Sequence, residues 1–307
     1  MVPSPEGAAT TAPIAVIINP VSGTGGRIDV ARARAAKAAA LLASRGADPS
    51  NVFITERAGH AREIALNAVA RGISAVAAWG GDGTMNEIGS ALAFRDVALS
   101  LVPSGSGNGL ARELGIPFDP DAALETALRG RERTIDAGEI DGRLFFNVAG
   151  VGLDARVAHA FAINGLEKRG FTRYLQLTMR ELAAYRPDLL TVSTSAGSIC
   201  KPSLLVAIAN GRQYGNGAII APRAKLDDGL LDVLIVKPLS RVAFLRIFPR
   251  VFKGEHTTDP RVTIERAKHI RIEAENMVAY GDGERIGPLP IDVEVVPGAV
   301  RVLAPLP

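Results

Sequence analysis

Gly80-Gly81-Asp82-Gly83-Thr84-Met85-Asn86-Glu87 is the stretch around which this chain is organised. The residues before it, 73–79, form a short apolar run that is typical of a buried strand. The residues after it place apolar side chains at helical spacing, from Met85 through Ile88 to Leu92. A strand therefore runs into a helix through a turn made largely of glycine, which permits positive φ and the close approach of a ligand.

This turn suits an anion, because the first amides of the following helix are unpaired and lie at the positive end of its dipole. Asp82 stands out, since a bare carboxylate beside a phosphate would repel it. We expect Asp82 either to share a Mg²⁺ ion with the phosphate or to take part in proton transfer. A turn that only joins a strand to a helix has no need of this charge, so a phosphate site is the prediction.

Composition describes an ordinary globular protein. The chain has 307 residues, 47% hydrophobic and 22% charged, so one large or two ordinary domains are expected. A formal net charge of +3 is too small to argue for a nucleic-acid partner and is compatible with an anionic membrane surface. Cys200 is the single cysteine and the four histidines are scattered, which excludes an internal disulfide and a thiolate zinc site.

The first residues and the lengths of the apolar runs are used to predict the cellular location of the protein. Residues 1–12 are rich in Pro, Ala, Ser and Thr and lack a basic start, so we expect a disordered leader rather than a signal peptide. No stretch reaches about 18 uninterrupted apolar residues, so no membrane span is expected. A cytoplasmic protein is therefore the prediction.

Strands and helices alternate through the first part of the chain. The predicted strands are 14–18, 51–55, 73–79 and 97–102, and the predicted helices are 29–44, 60–70, 85–94 and 121–128. This alternation predicts an α/β fold with a parallel sheet between two helix layers. Ligands of such sheets bind at the carboxyl ends of the strands, where loops of small residues follow Ile18, Trp79 and Val102. The second strand ends at Thr55, whose hydroxyl would face the same edge.

The sequence pattern changes after Arg133. Short strand-like segments and hairpin signals such as Asp141-Gly142 dominate from there on. Two helical stretches interrupt them, at about 172–185 and 240–253. We therefore predict a nucleotide-binding α/β domain over 13–134 and a mainly antiparallel β domain over 135–307, whose last strand could return to the first domain.

Two familiar phosphate motifs are missing. No G-x-x-x-x-G-K-[ST] occurs, so the chain is not an ordinary P-loop enzyme. Ile28 and Leu110 occupy the place of the third glycine in the two G-x-G stretches, which disfavours a Rossmann dehydrogenase.

Three motifs at strand ends carry a resemblance to a known family. They are Asn19-Pro20-Val21-Ser22-Gly23, the glycine turn at 80–87, and Pro103-Ser104-Gly105-Ser106-Gly107-Asn108. In this order they resemble the diacylglycerol kinase catalytic domain shared by bacterial lipid kinases, sphingosine kinases and ceramide kinases. Residues 210–217, 222–236 and 281–284 are similar to its later motifs. The G-G-D-G-T sequence also occurs in NAD kinases of the same superfamily.

The resemblance implies ATP, Mg²⁺ and phosphoryl transfer to a lipid hydroxyl. It also implies an NAD kinase-like parallel domain followed by a β-sandwich that binds the lipid. Carried over by position, the nucleotide site would contain Asn19, Pro20, Ser22, Gly23, Thr55, Gly80, Gly81, Asp82, Gly83, Thr84, Met85, Asn86, Gly105, Ser106 and Asn108. Main-chain amides and hydroxyls can hold phosphates without a lysine when Mg²⁺ supplies the neutralising charge.

Asp282 and Glu284 are the candidates for the general base. On spacing alone, Tyr280-Gly281-Asp282-Gly283-Glu284 is most simply a hairpin with an Asp-Gly turn. Similar lipid kinases place their base in this segment, and a carboxylate can accept the proton of a lipid hydroxyl. We prefer Glu284 as the base, with Asp282 as its partner or replacement and Asp82 as the third catalytic residue.

The segment 225–232 reads either as an Asp-Gly turn or as a cation site. Similar bacterial lipid kinases hold a structural Mg²⁺ here with one aspartate and flanking carbonyls. In this chain those ligands would be Asp228 and the carbonyl oxygens of Lys225 and Leu230, and oxygen ligands suit Mg²⁺.

The expected partner is a lipid, most simply diacylglycerol, with a sphingosine- or ceramide-type lipid as the alternative. Ser106 and Gly109 depart from the commonest bacterial motif, which weakens the case for diacylglycerol. The basic and apolar segments 168–173 and 240–253 are read either as ordinary packing elements or as peripheral membrane contacts. A soluble-substrate kinase and a non-catalytic binding protein are the other functional alternatives, and a homodimer is left open.

Overall fold

The computed structural model describes residues 13–23, 27–163 and 171–306. The predicted leader, 1–12, lies outside the described residues, as do residues 168–170 of the predicted basic patch at 168–173. Within the described residues, no helix combines the length and apolar character needed to span a bilayer.

Four parallel strands form the first part of a large sheet, called sheet A. They are β1 (Ile14–Ile18), β2 (Val52–Ile54), β3 (Ala75–Gly80) and β4 (Ala98–Pro103). Their order is β2-β1-β3-β4, and each neighbouring pair is parallel. β1, β3 and β4 are buried along their whole length, which explains why their sequences are continuous runs rather than alternating patterns.

Helices cover both faces of these strands. They are α1 (Ile28–Ser44), α2 (His60–Ala70), α3 (Asp82–Leu92), α4 (Gly109–Glu113) and α5 (Pro120–Arg129). Right-handed crossovers place α1 and α2 on opposite faces of this strand order. α2 packs against α3, whereas the ion pairs Lys37–Asp121 and Arg45–Glu125 join α1 to α5. The predicted three-layer arrangement is confirmed.

The second half of the chain consists mainly of antiparallel strands. They are β5 (Arg131–Ile140), β6 (Arg143–Phe145), β7 (Val148–Gly152), β8 (Asp188–Thr194), β9 (Gly197–Ser203), β10 (Leu205–Ala209), β11 (Gln213–Gly215), β12 (Ala218–Ile219), β13 (Leu231–Val236), β14 (Val262–Ala267), β15 (His269–Glu273), β16 (Val278–Gly281), β17 (Glu284–Pro288) and β18 (Ile291–Ala304). The helices between them are α6 (Leu153–Ile163), α7 (Phe171–Ala184), α8 (Arg241–Val251) and a 3₁₀ turn at Glu255–Thr258.

β18 joins the two halves. Its end runs parallel to β4, with Arg301 opposite Ala98, while its start pairs with β15 and most of its length pairs with β5. Sheet A therefore continues beyond the parallel strands through β18, β15, β8 and β9, with β5 and β6 attached. A separate sheet B has the order β14-β13-β10-β7-β16-β17 and is antiparallel throughout.

The extension of sheet A packs face to face with sheet B. Val192, Ile272 and Val293 of sheet A share one apolar core with Val206 and Val233 of sheet B. Alternate residues of each strand face this core, as expected for two packed sheets. The predicted β-sandwich is confirmed.

Several elements differ from the sequence-based expectation, among them α6 and β9. α6 was not predicted, because its alanine-rich sequence follows β7 directly, without a loop or a capping residue. β9 was also missed, since it is a largely exposed edge strand that contains Pro202. β18 is one long strand whose pairing with β5 is irregular between Val296 and Val300.

Candidate active site

Three loops meet at the carboxyl edge of sheet A, after β1, β3 and β4. Gly81 and Gly105 approach each other closely, since a Cβ atom on Gly81 would lie 3.2 Å from Gly105 Cα. Gly23 has a φ of +73°, and its Cα faces the Ser104 carbonyl so closely that a side chain has no room. The glycines of the predicted motifs are therefore needed for the loops to pack against each other.

Asp82 links the glycine turn to the loop after β4. Its Oδ2 accepts a hydrogen bond from the Asn108 amide at 2.9 Å, and its Oδ1 accepts one from the Gly109 amide at 2.8 Å. These amides begin α4. Burial raises the pKa of Asp82, and the two amides act in the opposite direction. This corrects our expectation that a structural turn has no need of the charge, because the carboxylate caps a neighbouring helix.

Polar side chains of the motifs also hold the loops together. Asn19 donates its side-chain amide to Thr84 Oγ1 at 2.8 Å, and the Ser104 hydroxyl donates to Ser22 Oγ at 3.3 Å. Asn108 makes two hydrogen bonds to the backbone of Gly105, at 2.9 and 2.7 Å. The loops are therefore preorganised before any ligand is bound, with Pro20 and Ser106 partly exposed at the rim.

Several of the predicted nucleotide-site residues have buried side chains. Met85 is 4% exposed, and its amide donates to the Gly81 carbonyl at 3.0 Å. Thr84 is 5% exposed, and its hydroxyl accepts the bond from Asn19. Met85 belongs to the same core cluster as Ile88 and Leu92 of α3.

Thr55 also lies at this edge, 6% exposed, with its amide donating to the Ile18 carbonyl at 2.9 Å. The structure thus brings the β1, β2, β3 and β4 ends together as expected, while their side chains mostly support the loops.

Asp282 is the most fully bonded carboxylate near the rim. Its Oδ2 accepts bonds from the Phe146 amide at 2.7 Å and from Asn86 Nδ2 at 3.0 Å. Its Oδ1 accepts bonds from the amides of Asn147 at 3.0 Å and Val148 at 3.3 Å. Burial raises the pKa of Asp282 to about 6 in spite of these donors. Asp282 therefore joins the second half of the chain to α3.

Glu284 differs from Asp282 in its environment, although only Gly283 separates them. Its side chain is exposed, and its Oε1 would lie 2.9 Å from a Cβ atom placed on Gly83. Asp282 and Gly283 both have positive φ, 47° and 85°, so the β16–β17 turn is the tight hairpin expected of Asp-Gly. This turn directs Asp282 inwards and presents Glu284 to the glycine turn.

Sequence reasoning missed several buried polar residues that connect distant segments of the second half. Asn210 is fully buried and donates its side-chain amide to the carbonyls of Asp136 and Phe146, both at 2.9 Å. The Asp136 carboxylate accepts bonds from the amides of Gly229 at 2.7 Å and Gly298 at 2.8 Å. Asn210 is the first residue of one of the later motifs, 210–217, and this was the only sign in the sequence that it matters. The motif alone does not reveal its hydrogen-bond partners.

The β11–β12 hairpin, 213–219, is a further missed element of the site. The Gln213 carbonyl accepts a bond from Asn147 Nδ2 at 2.7 Å, and the Asn216 amide donates to the Gly107 carbonyl at 3.3 Å. The hairpin therefore supports the loop after β4 from the side of the second half.

The predicted cation loop lies before β13. Asp228 Oδ2 forms an ion pair with Arg266, and Asp228 Oδ1 is buried without a hydrogen-bond partner. An unpartnered buried carboxylate oxygen fits an ion that is bound by oxygen ligands. Among the described residues no three His, Cys, Asp or Glu side chains cluster, so a cation here would also need main-chain oxygens. The main-chain oxygens predicted for this role are those of Lys225 and Leu230.

Comparison with known proteins follows the same division of the chain. The family described as "Diacylglycerol kinase catalytic domain" matches residues 13–140. The family described as "YegS C-terminal NAD kinase beta sandwich-like domain" matches residues 147–304.

Relatives cover nearly the whole chain. A protein named diacylglycerol kinase from Mycobacterium tuberculosis is 35% identical over 95% of this chain and 95% of its own length. A protein named probable lipid kinase YegS-like from Pseudomonas aeruginosa is 33% identical over 83% of this chain and 84% of its own length. A crystal structure of a diacylglycerol kinase from Bacillus anthracis has a TM-score of 0.71 at 20% identity, over 95% of this chain and 97% of that one. The structural likeness bears on the fold, and the sequence identities bear on the family. The chain is a kinase that belongs to the family of diacylglycerol kinases and related bacterial lipid kinases.

Proposed function

We propose that this protein transfers the γ-phosphoryl group of ATP to a lipid hydroxyl in a Mg²⁺-dependent reaction, with diacylglycerol as the acceptor and phosphatidic acid as the product. The observation that carries this proposal is the position of Glu284, an exposed carboxylate that faces the glycine turn from the second half of the chain. The names of the relatives support the acceptor class.

Glu284 is proposed as the general base. The acceptor oxygen attacks the γ-phosphorus while its proton passes to Glu284, and the bond to the oxygen between the β- and γ-phosphorus atoms breaks, so that ADP leaves. An exposed carboxylate can exchange this proton with solvent afterwards. Asp282 is a positioning residue in this proposal, because both of its oxygens already accept bonds from buried donors.

The glycine loops are proposed to hold the phosphates. α3 and the loops after β1 and β4 present backbone at the rim, and Asp82 keeps two of these loops in register. Bound Mg²⁺ would neutralise phosphate charge at this rim. The proposed structural Mg²⁺ at Asp228 has ligands distinct from the phosphate loops.

A panel of acceptors tests the activity. The protein is incubated with γ-labelled ATP and Mg²⁺ and with diacylglycerol, sphingosine, ceramide, phosphatidylglycerol or NAD. Label in phosphatidic acid supports the proposal, and label in another lipid phosphate moves the acceptor to the sphingosine or ceramide class. Label in NADP, or in no product, contradicts a lipid kinase.

Membrane contact through α8 is the second part of the proposal. Ala243, Phe244 and Ile247 are buried, whereas Val242 and Leu245 are 59% and 57% exposed. Arg241 and Arg246 lie on the exposed side, and neither has an ion-pair partner among the described residues. Apolar side chains next to free cations suit the surface of an anionic bilayer.

The position of α8 supports a role near the substrate. Gly254, just after α8, packs on Pro222, and His256 Nε2 lies 3.0 Å from the Ile220 carbonyl. These contacts place the segment that follows α8 beside the end of the β11–β12 hairpin, which in turn contacts Gly107. We infer a cytoplasmic protein that works at the membrane surface.

Vesicle flotation tests this contact. We expect Val242→Glu and Leu245→Glu to reduce binding to vesicles that contain phosphatidylglycerol, and binding by the unchanged protein to weaken as salt is raised. Leu189→Glu is the matched control, because Leu189 is 58% exposed on β8. Equal binding by all three variants would contradict the role of α8.

A further inference from the structure

The cation loop is followed by a second buried carboxylate, four residues on. Asp232 lies in β13 directly opposite Arg266 of β14, and its side chain is 1% exposed. Arg266 Nε donates to Asp232 Oδ2 at 3.2 Å, while Arg266 Nη2 donates to Asp228 Oδ2. One guanidinium therefore bridges two carboxylates.

Each of these carboxylates keeps one oxygen without a partner. Asp228 Oδ1 and Asp232 Oδ1 are both buried and accept no hydrogen bond. Buried carboxylate oxygens in folded proteins are nearly always bonded to a donor or to a cation. A second cation, Arg223, also acts electrostatically on Asp232, but neither it nor Arg266 bonds to the two free oxygens. The cluster thus lacks a ligand for two carboxylate oxygens.

We propose that Asp232 is a second carboxylate of the cation site at Asp228, and that Arg266 is the counter-ion that the bound cation competes with. This rests on the proposed site at Asp228, to which it adds two residues with opposite effects. A divalent oxygen-seeking ion such as Mg²⁺ or Mn²⁺ fits two carboxylate oxygens and the nearby main-chain carbonyls. The site is open to ions, because the side chains of Asp228 and Arg266 are 21% and 34% exposed.

The competition follows from the charges. With Arg266 in place, an arriving cation meets repulsion from the guanidinium and finds Oδ2 of both aspartates already engaged. Without the guanidinium the same two carboxylates offer a full charge of −2. If Arg266 only held the loop in place, the opposite result is expected. Loss of Arg266 would then disorder the loop and weaken any cation binding.

The same loop provides a matched control. Asp227, the neighbour of Asp228, forms an ion pair with Arg133 at 3.2 Å, with side chains 50% and 40% exposed. Changes at Asp227 or Arg133 alter the charge of the loop by the same amount without touching the two unpartnered oxygens.

Isothermal titration of Mn²⁺ and Mg²⁺ into the full-length protein, without nucleotide, tests the proposal. We expect Asp232→Asn to raise the dissociation constant by about tenfold or more, and Arg266→Met to lower it by about tenfold. For Asp227→Asn and Arg133→Met, the dissociation constant should stay within about threefold of that of the unchanged protein. Because no phosphoryl transfer is measured, failure of the proposed kinase reaction would not affect this result.

Thermal unfolding gives a second readout. Arg266→Met removes the guanidinium that bonds to both carboxylates, so we expect a lower melting temperature in EDTA and a larger rise on adding Mg²⁺ than in the unchanged protein. If Asp232→Asn binds Mn²⁺ as tightly as Asp227→Asn does, Asp232 is not a ligand and the proposal fails. Weaker binding by Arg266→Met would likewise overturn the competition.

Discussion

Glu284 faces Gly83 across the boundary between the two halves of the chain. A Cβ atom on Gly83 would lie 2.9 Å from Glu284 Oε1, which is closer than such atoms pack in folded proteins. Gly83 is in the first turn of α3, so the carboxylate stands beside the helix terminus that is proposed to bind phosphate. The absence of a side chain at residue 83 is therefore what lets an acid from β17 reach the phosphate loops.

Gly83→Ala should reduce turnover by displacing Glu284. The backbone of Gly83 is helical and accepts alanine, so the effect is steric contact with the carboxylate rather than strain. We expect kcat to fall about tenfold or more, with little change in melting temperature. Gly287→Ala is the control, since a Cβ atom there meets nothing within 4 Å. Equal kcat values for the two variants would show that the Gly83 contact has no catalytic role.

Glu284→Gln should abolish turnover while ATP binding persists. Glutamine keeps the size and exposure of the side chain but cannot accept the proton of the acceptor hydroxyl. We expect kcat to fall by about a hundredfold or more, with ATP affinity from titration calorimetry and the melting temperature unchanged. Near-normal activity in this variant would remove Glu284 from the role of base.

Asp282→Asn should mainly destabilise the fold. Four donors point at the Asp282 carboxylate, and an amide group would turn its NH₂ towards at least one of them. We expect the free energy of unfolding to fall by about 2–4 kcal/mol in urea titrations. Asparagine tolerates the positive φ of 47° at this position, so the backbone does not confound the comparison. A variant as stable as the unchanged protein would contradict the positioning role.

Asp154 should make stability depend on pH. It lies in the first turn of α6, accepts a hydrogen bond from the Tyr214 hydroxyl, and keeps Oδ2 buried without a partner. Burial raises its pKa from 3.8 to about 6. Between these values the folded state holds a proton that the unfolded state has lost, so stability falls as pH rises through this window.

Asp154→Asn should reduce this decrease in stability with rising pH. Asparagine does not titrate and can still accept the hydrogen bond from Tyr214. The difference in the free energy of unfolding amounts to about 2–3 kcal/mol between pH 4 and 7, from a shift of roughly two pKa units. Urea unfolding across this range is the measurement. Asp282, whose pKa is also raised to about 6, keeps a slope of the same sign in the variant. An unchanged slope would place the titration of Asp154 outside this window.

Local patterns predicted the first half of the fold well. The buried runs at β1, β3 and β4 and the glycines after them are signals that lie within a few consecutive residues. The Asp141-Gly142 turn was equally readable, since both residues take positive φ of 50° and 76°. Pairing between distant strands was not readable in the same way, and α6 and β9 carried signals too weak to separate from loops.

For the site, too, local features were predicted and long-range contacts were not. The motifs identified which loops meet, but they did not reveal that the side chains of Met85 and Thr84 are buried. The direction of a side chain near a helix start depends on where the helix begins, and Asp82 itself begins it. Asn210 and Asp136 connect segments far apart in sequence, so no local pattern reveals their hydrogen bonds.

The amino-acid sequence by itself determined that parallel strands end in glycine loops, that the later half is β-rich, and that Asp82, Asp282 and Glu284 are candidates for chemistry. Only the tertiary structure decided how each of these acids is held. Asp82 is partly buried and Asp282 is buried, and main-chain amides bond to both, whereas Glu284 is exposed beside Gly83. The physical reason is that burial and hydrogen bonding depend on partners that only folding brings together.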